Sequence, residues 1–94
     1  MRVFRIDVPP HVPEVVRHLP PEVKRGVKAA LRAVAEDPAI GEPLRRELAG
    51  LWKFRVRRYR LVYEVDRDAR VVRVVAVGHR RGIYDEVVAR VRRP

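Results

Sequence analysis

Three strand-length stretches between residues 51 and 77 are joined by turns of only two and five residues, which leaves an antiparallel meander as the compact way to pair them. In 51–56, Trp52, Phe54 and Val56 point one way and Lys53, Arg55 and Arg57 the other, giving a strand that is apolar on one face and cationic on its reverse. A turn at Arg57-Arg58 leads into 59–65, where Tyr59, Leu61, Tyr63 and Val65 share a face and Arg60, Val62 and Glu64 share the other. Residues 66–70 form the next turn. The stretch 71–77 is almost continuously apolar, the pattern of a central strand covered on both sides, and Gly78 reads as its end.

The segments around the meander complete a layered plan. Residues 3–8 alternate as a first strand, ended by Pro9-Pro10. Pro13 suits the first turn of a short helix whose face is Val12, Val15, Val16 and Leu19. After Pro20-Pro21, a longer helix over 21–36 presents Val23, Val27, Ala30, Leu31 and Val34 and stops at Asp37-Pro38. Residues 39–50, with Gly41, Pro43 and Gly50, read as a loop containing one helical turn around 44–48. Ile83, Val87, Val88 and Val91 mark a carboxy-terminal amphipathic helix. The expected fold is α+β: an N-terminal strand, a helical hairpin, a three-stranded antiparallel meander and a C-terminal helix, in one domain spanning 1–94.

Composition removes whole reaction classes. The chain has no Cys, Ser, Thr, Asn or Gln, so it offers no disulfide, thiolate, hydroxyl nucleophile of the triad kind or P-loop hydroxyl. His11, His18 and His79 are scattered without ligand spacing, and neither a metal nor a cofactor is expected. Arg2, Arg5 and Asp7 interrupt any apolar leader and no stretch reaches membrane-spanning length, so the expectation is a soluble, cytoplasmic protein with no membrane partner. The net charge of +10 lies mostly in residues 51–94, which hold thirteen Lys and Arg against five Asp and Glu. Such a charge favours an anionic partner without choosing among nucleic acid, membrane and acidic protein. Only Lys24, Lys28 and Lys53 are lysine; the other basic residues are arginines, whose forks suit phosphate, although the same bias suits a hot environment or a GC-rich genome.

The run Leu48-Ala49-Gly50-Leu51-Trp52-Lys53-Phe54-Arg55-Val56, then Tyr59-Arg60-Leu61-Val62-Tyr63, then Val77-Gly78-His79-Arg80 with Tyr84, resembles the RelE/ParE superfamily of toxin-antitoxin toxins. The RelE branch implies a metal-independent, ribosome-dependent mRNA endonuclease (mRNA interferase) that cleaves in the A site by attack of a ribose 2′-hydroxyl on the adjacent phosphate. Carried over by motif, its catalytic positions fall on Lys53, Arg55, Arg60, Arg80 and Tyr84, with Arg57, Arg58, His79 and Arg81 as further RNA contacts. The resemblance implies mRNA and the ribosome as partners. It also implies a cognate antitoxin with an acidic segment, in a complex that includes the heterotetramer among its forms. Two departures stand out. Arginine occupies 55 where lysine is common, which excludes proton transfer there, and the turn before Tyr59 is short and lacks the usual glycine. The ParE branch implies a different activity, inhibition of DNA gyrase without nuclease chemistry.

The chemistry can be met by cations and one titratable group. Lys53, Arg55 and Arg60 are placed to stabilise negative charge on a pentacoordinate phosphorus. Tyr84 serves as base, with Lys53 as its rival, and Arg80 faces the leaving oxygen. Ordinary packing accounts compete: Lys53, Arg55 and Arg57 as the solvated face of a half-buried strand, Tyr59 and Tyr63 as core, and Trp52 and Phe54 as packing rather than stacking platforms. His79 reads equally as an auxiliary acid or base or as a packed ring. His11 and His18 read as surface residues, and Glu64 as a partner for a strand arginine.

Overall fold

The computed structural model describes residues 3–92. It contains β1 (Arg5–Asp7), α1 (His11–Arg17), α2 (Pro21–Glu36), β2 (Glu42–Pro43), β3 (Leu51–Val56), β4 (Tyr59–Asp66), β5 (Val71–His79) and α3 (Ile83–Val91). The strands form one sheet in the order β1-β5-β4-β3-β2. Only β1 runs parallel to its neighbour, pairing Arg5 with Val71, while β2 through β5 are antiparallel. The expected α+β plan is observed, with β2 as an addition. That strand has two residues, one of them Pro43, so it carries no alternation for a sequence reading to detect. The surrounding loop also holds two 3-10 turns, Pro38–Ile40 and Arg46–Leu48.

Both sheet faces are covered, for different reasons. On one, Val12, Val23, Val27, Ala30 and Val34 of the helical hairpin pack against Leu61, Tyr63, Val72, Val74 and Val77. On the other, Ile83 and Val87 of α3 pack on Leu51, Val62 and Ala76. This two-sided burial accounts for the apolar run of β5. A bulge adds to it, because Val62 pairs with Ala76 and Tyr63 with Val74, leaving Val75 as an extra residue that turns both Val74 and Val77 to the helical-hairpin side. Val91, expected on the apolar stripe of α3, is 46% exposed, so the buried face of that helix is carried by Ile83 and Val87.

Backbone polar groups explain several placements. β1 ends at Asp7 and its ladder with β5 stops at Arg73; farther along that strand, His11 of α1 donates from Nε2 to the Val75 carbonyl at 3.0 Å. His11 is therefore half-buried rather than a surface residue. The fully buried Tyr63 donates its hydroxyl to the Pro38 carbonyl at 2.6 Å, which ties β4 to the loop before β2. Burial, as the largest influence, pushes that phenol up to about 12. β5 continues through Gly78 to His79 because Arg60 and Tyr59 of β4 extend the ladder opposite them.

Candidate functional site

β3 and β4 are joined by a two-residue turn, so Arg55 sits directly across from Arg60, and Arg60 in turn opposes Gly78 of β5. Lys53 occupies the next row on the same face, opposite Val62. Two arginines facing each other repel unless an anion joins them. No carboxylate does so: the ion pairs among the described residues do not involve Lys53, Arg55, Arg60 or Arg80. Glu64, expected near the strand cations, instead approaches Arg73 at 3.9 Å toward the opposite end of the sheet, where Arg73 also reaches Asp66 at 3.4 Å. The Ala69 amide donates to Asp66, which with Arg73 holds the Asp66 carboxyl below its usual range.

The β3–β4 turn organises the basic end. Arg57 has φ of 55°, a left-handed conformation that takes it out of the strand's alternation; its side chain approaches Glu22 of α2 at 3.7 Å, on the helical-hairpin side. The expectation that Arg57 shares a face with Lys53 and Arg55 is thereby corrected. Arg60 donates from Nη1 to the carbonyls of Tyr59 and Arg57 at 2.8 and 3.1 Å, which holds its guanidinium at the turn. The backbone amide of Arg80 donates to the Arg58 carbonyl at 2.8 Å, bringing the start of the β5–α3 connection alongside the same turn. One short turn thus fixes the backbone near Arg58 and Arg80 and the side chain of Arg60.

Tyr84 reaches this face through α3. An added Cβ at Gly78 would meet Ile83 Cδ1 at 2.9 Å, so the bare backbone of Gly78 lets Ile83 sit directly on the sheet. The next residue, Tyr84, then lies against the apolar cluster of that face, with the Lys53 ammonium 5.8 Å from its ring centroid. Sequence reading took Gly78 for a strand end and missed this seating role; the signal was a glycine closing an apolar strand just before an isoleucine-led helix.

The remaining expected residues separate. His79 lies on the reverse face, edge-on to Tyr59 at 5.4 Å, and its Nδ1 accepts from the Arg81 amide at 3.2 Å. Arg58 and Arg81 are exposed in the two turns. Trp52 stacks on Tyr63 at 6.4 Å and, with half-buried Phe54, belongs to the core side. Among the described residues, no cluster of three His, Asp or Glu could hold a metal ion, and no helix is long and apolar enough to cross a membrane.

A single sheet with a helical hairpin on one side, and three cations and a tyrosine on the other, is an α+β arrangement shared with several solved toxins. A free-state arginine-to-alanine double mutant of the E. coli toxin RelE is 31% identical, with a TM-score of 0.76 over 95% of this chain and 98% of that one. The RelBE2 toxin-antitoxin complex of Mycobacterium tuberculosis matches at 31% identity and a TM-score of 0.74, over 84% of this chain and 93% of that chain. In sequence, Toxin RelG of M. tuberculosis strain H37Rv is 40% identical over 68 residues, 70% of this chain and 78% of that protein. The model for the ParE toxin of type II toxin-antitoxin systems matches residues 14–84. The chain belongs to this toxin family, within the RelE/ParE superfamily.

Proposed function

We propose that the chain is a ribosome-dependent mRNA endonuclease whose site is the face carrying Lys53, Arg55, Arg60 and Tyr84, with Arg80 at its edge. The observation that supports this reading most is the set of unpaired cations gathered beside a tyrosine on one sheet face. A phosphodiester would supply the missing negative charge. In the reaction, the 2′-oxygen forms a bond to phosphorus as the bond to the 5′-oxygen breaks, leaving a 2′,3′-cyclic phosphate. Tyr84 accepts the 2′-hydroxyl proton, with Lys53 as the competing base, while the Arg80 guanidinium stabilises the departing 5′-oxygen, which takes its proton from water. Lys53, Arg55 and Arg60 hold the phosphoryl oxygens as charge builds, where fixed positive groups act most strongly. Arg55 keeps its proton throughout. The chain is expected to be neutralised by a cognate antitoxin, as the RelBE2 toxin is held in a toxin-antitoxin complex.

The match to the ParE family model favours a second reading, inhibition of DNA gyrase without nuclease chemistry. Purified protein on programmed ribosomes separates the two. The nuclease reading predicts A-site cleavage that falls at least 100-fold in Arg80→Ala and in Tyr84→Phe while both variants keep their thermal unfolding midpoint. Stalled gyrase supercoiling with intact mRNA would overturn it.

A further inference from the structure

No acidic side chain aims Lys53 at Tyr84. Glu42 of β2 is its partner across the strands and shares its face, yet no ion pair among the described residues joins the two side chains. β2 itself is two residues long and includes Pro43, so its ladder gives the edge of β3 little hold. The loop before it closes that edge more tightly. A Cβ built on Gly41 would meet the Lys53 carbonyl oxygen at 2.5 Å and would strike the Tyr63 hydroxyl as well, so only bare backbone fits between them. Gly41 has a φ of −79°, which any residue adopts, so glycine is required by space and not by conformation. Tyr63, fully buried on the helical-hairpin side, donates its hydroxyl to the Pro38 carbonyl at 2.6 Å, and the Gly41 backbone hydrogen-bonds to the same phenol oxygen.

We propose that Gly41 and Tyr63 are positioning residues for Lys53, fixing the β3 backbone so that the ammonium stands beside the Tyr84 ring on the opposite face of the sheet. The loop, β3 and β4 meet at one point: Gly41 lies against the Lys53 carbonyl, and Tyr63 follows Val62, the residue paired with Lys53. The lysine side chain leaves that point on the other face, where its ammonium nitrogen lies 5.8 Å from the Tyr84 ring centroid. An ammonium on a flexible four-carbon stem has no planar fork to orient it, so its reach depends on where its Cα is held. Arg55 and Arg60 are placed differently, by the two-residue turn between their strands, so a loosened Gly41 moves the lysine and leaves the arginines. What Lys53 contributes to catalysis once placed rests on the nuclease reading; its placement does not.

Lysine NMR signals test the placement without any cleavage. Lys24, Lys28 and Lys53 are the only lysines, so labelling lysine with carbon-13 yields three sets of side-chain signals, and the Tyr84 ring current sets those of Lys53 apart. Tyr84→Leu assigns them by abolishing that offset. In Gly41→Ala, and in Tyr63→Phe, which keeps the ring and adds no bulk, the Lys53 offset is expected to fall by at least half while the Lys24 and Lys28 signals do not move. Gly26→Ala is the control, because its Cβ would crowd Val56 Cγ1 at 2.7 Å on the hairpin side, and it should leave the Lys53 offset intact. An unchanged offset in folded Gly41→Ala and Tyr63→Phe, or an equal loss in Gly26→Ala, would overturn the proposal. On programmed ribosomes, Tyr63→Phe is expected to slow mRNA cleavage roughly 10- to 100-fold and to slow it no further when Lys53 is already alanine; equal slowing in both backgrounds would overturn it too. Absent cleavage by the wild-type chain would count against the nuclease reading alone, with the lysine signals still deciding the placement.

Discussion

Arg55 and Arg60 face each other across β3 and β4 with no acidic residue between them, an arrangement that costs stability in the free protein. Arg55→Gln should therefore raise the unfolding free energy by about 0.3–1 kcal/mol, as denaturant titration will show, while weakening RNA binding; a destabilised variant would show that the pair is compensated. Tyr63 makes the opposite kind of prediction. Its phenol titrates near 10 in the unfolded chain and near 12 in the fold, so the fold favours the protonated form. The stability this confers is complete below pH 10 and is lost as pH rises toward 12, on the order of 2–3 kcal/mol. Melting curves from pH 9 to 12 should show that decline, and Tyr63→Phe should flatten it. At this scale the faces of Lys53, Arg55 and Arg60 were legible, because alternation in a strand is local. The placement of Arg57 and His79 was not: one depends on a left-handed turn residue, the other on how far β4 extends the ladder along β5.

Among the elements, α2 and β3 were fully readable from period and proline punctuation, and their bounds agree with the sequence reading. β2 and the bulge at Val75 were not, since both are set by pairing partners distant in sequence. A turn without glycine shows what local chemistry costs here. Arg46, Arg57 and Arg70 all adopt left-handed φ, in a chain that has no Asn and places an arginine at each. The seating of α3 is the element on which Tyr84 depends. Gly78→Ala should cost about 1 kcal/mol as Ile83 rotates away, and Gly78→Val about 1–3 kcal/mol with α3 displaced. Thermal unfolding gives the first quantity, and loss of amide protection along Ile83–Val91 reports the second. Full protection in Gly78→Val would show that α3 is held by other contacts.

On the scale of the whole molecule, the sheet divides two tasks. One face builds the larger core under α1 and α2; the other carries a smaller cluster in which α3 packs on Leu51, Val62 and Ala76, with Lys53 and Arg60 half-exposed on the same face and Lys53 near the Tyr84 ring. The layered plan follows from the meander and the helical periods, so it was readable in outline, whereas the approach of Lys53 to the Tyr84 ring depends on packing across that plan. The most direct test of the proposed function uses ribosomes programmed with a message carrying a single 2′-deoxynucleotide at the scissile A-site position. The account predicts that unmodified message is cut to a 2′,3′-cyclic phosphate and that the deoxy-substituted message survives intact at that bond. Cleavage that persists without the 2′-hydroxyl, or no cleavage of either message, would contradict it.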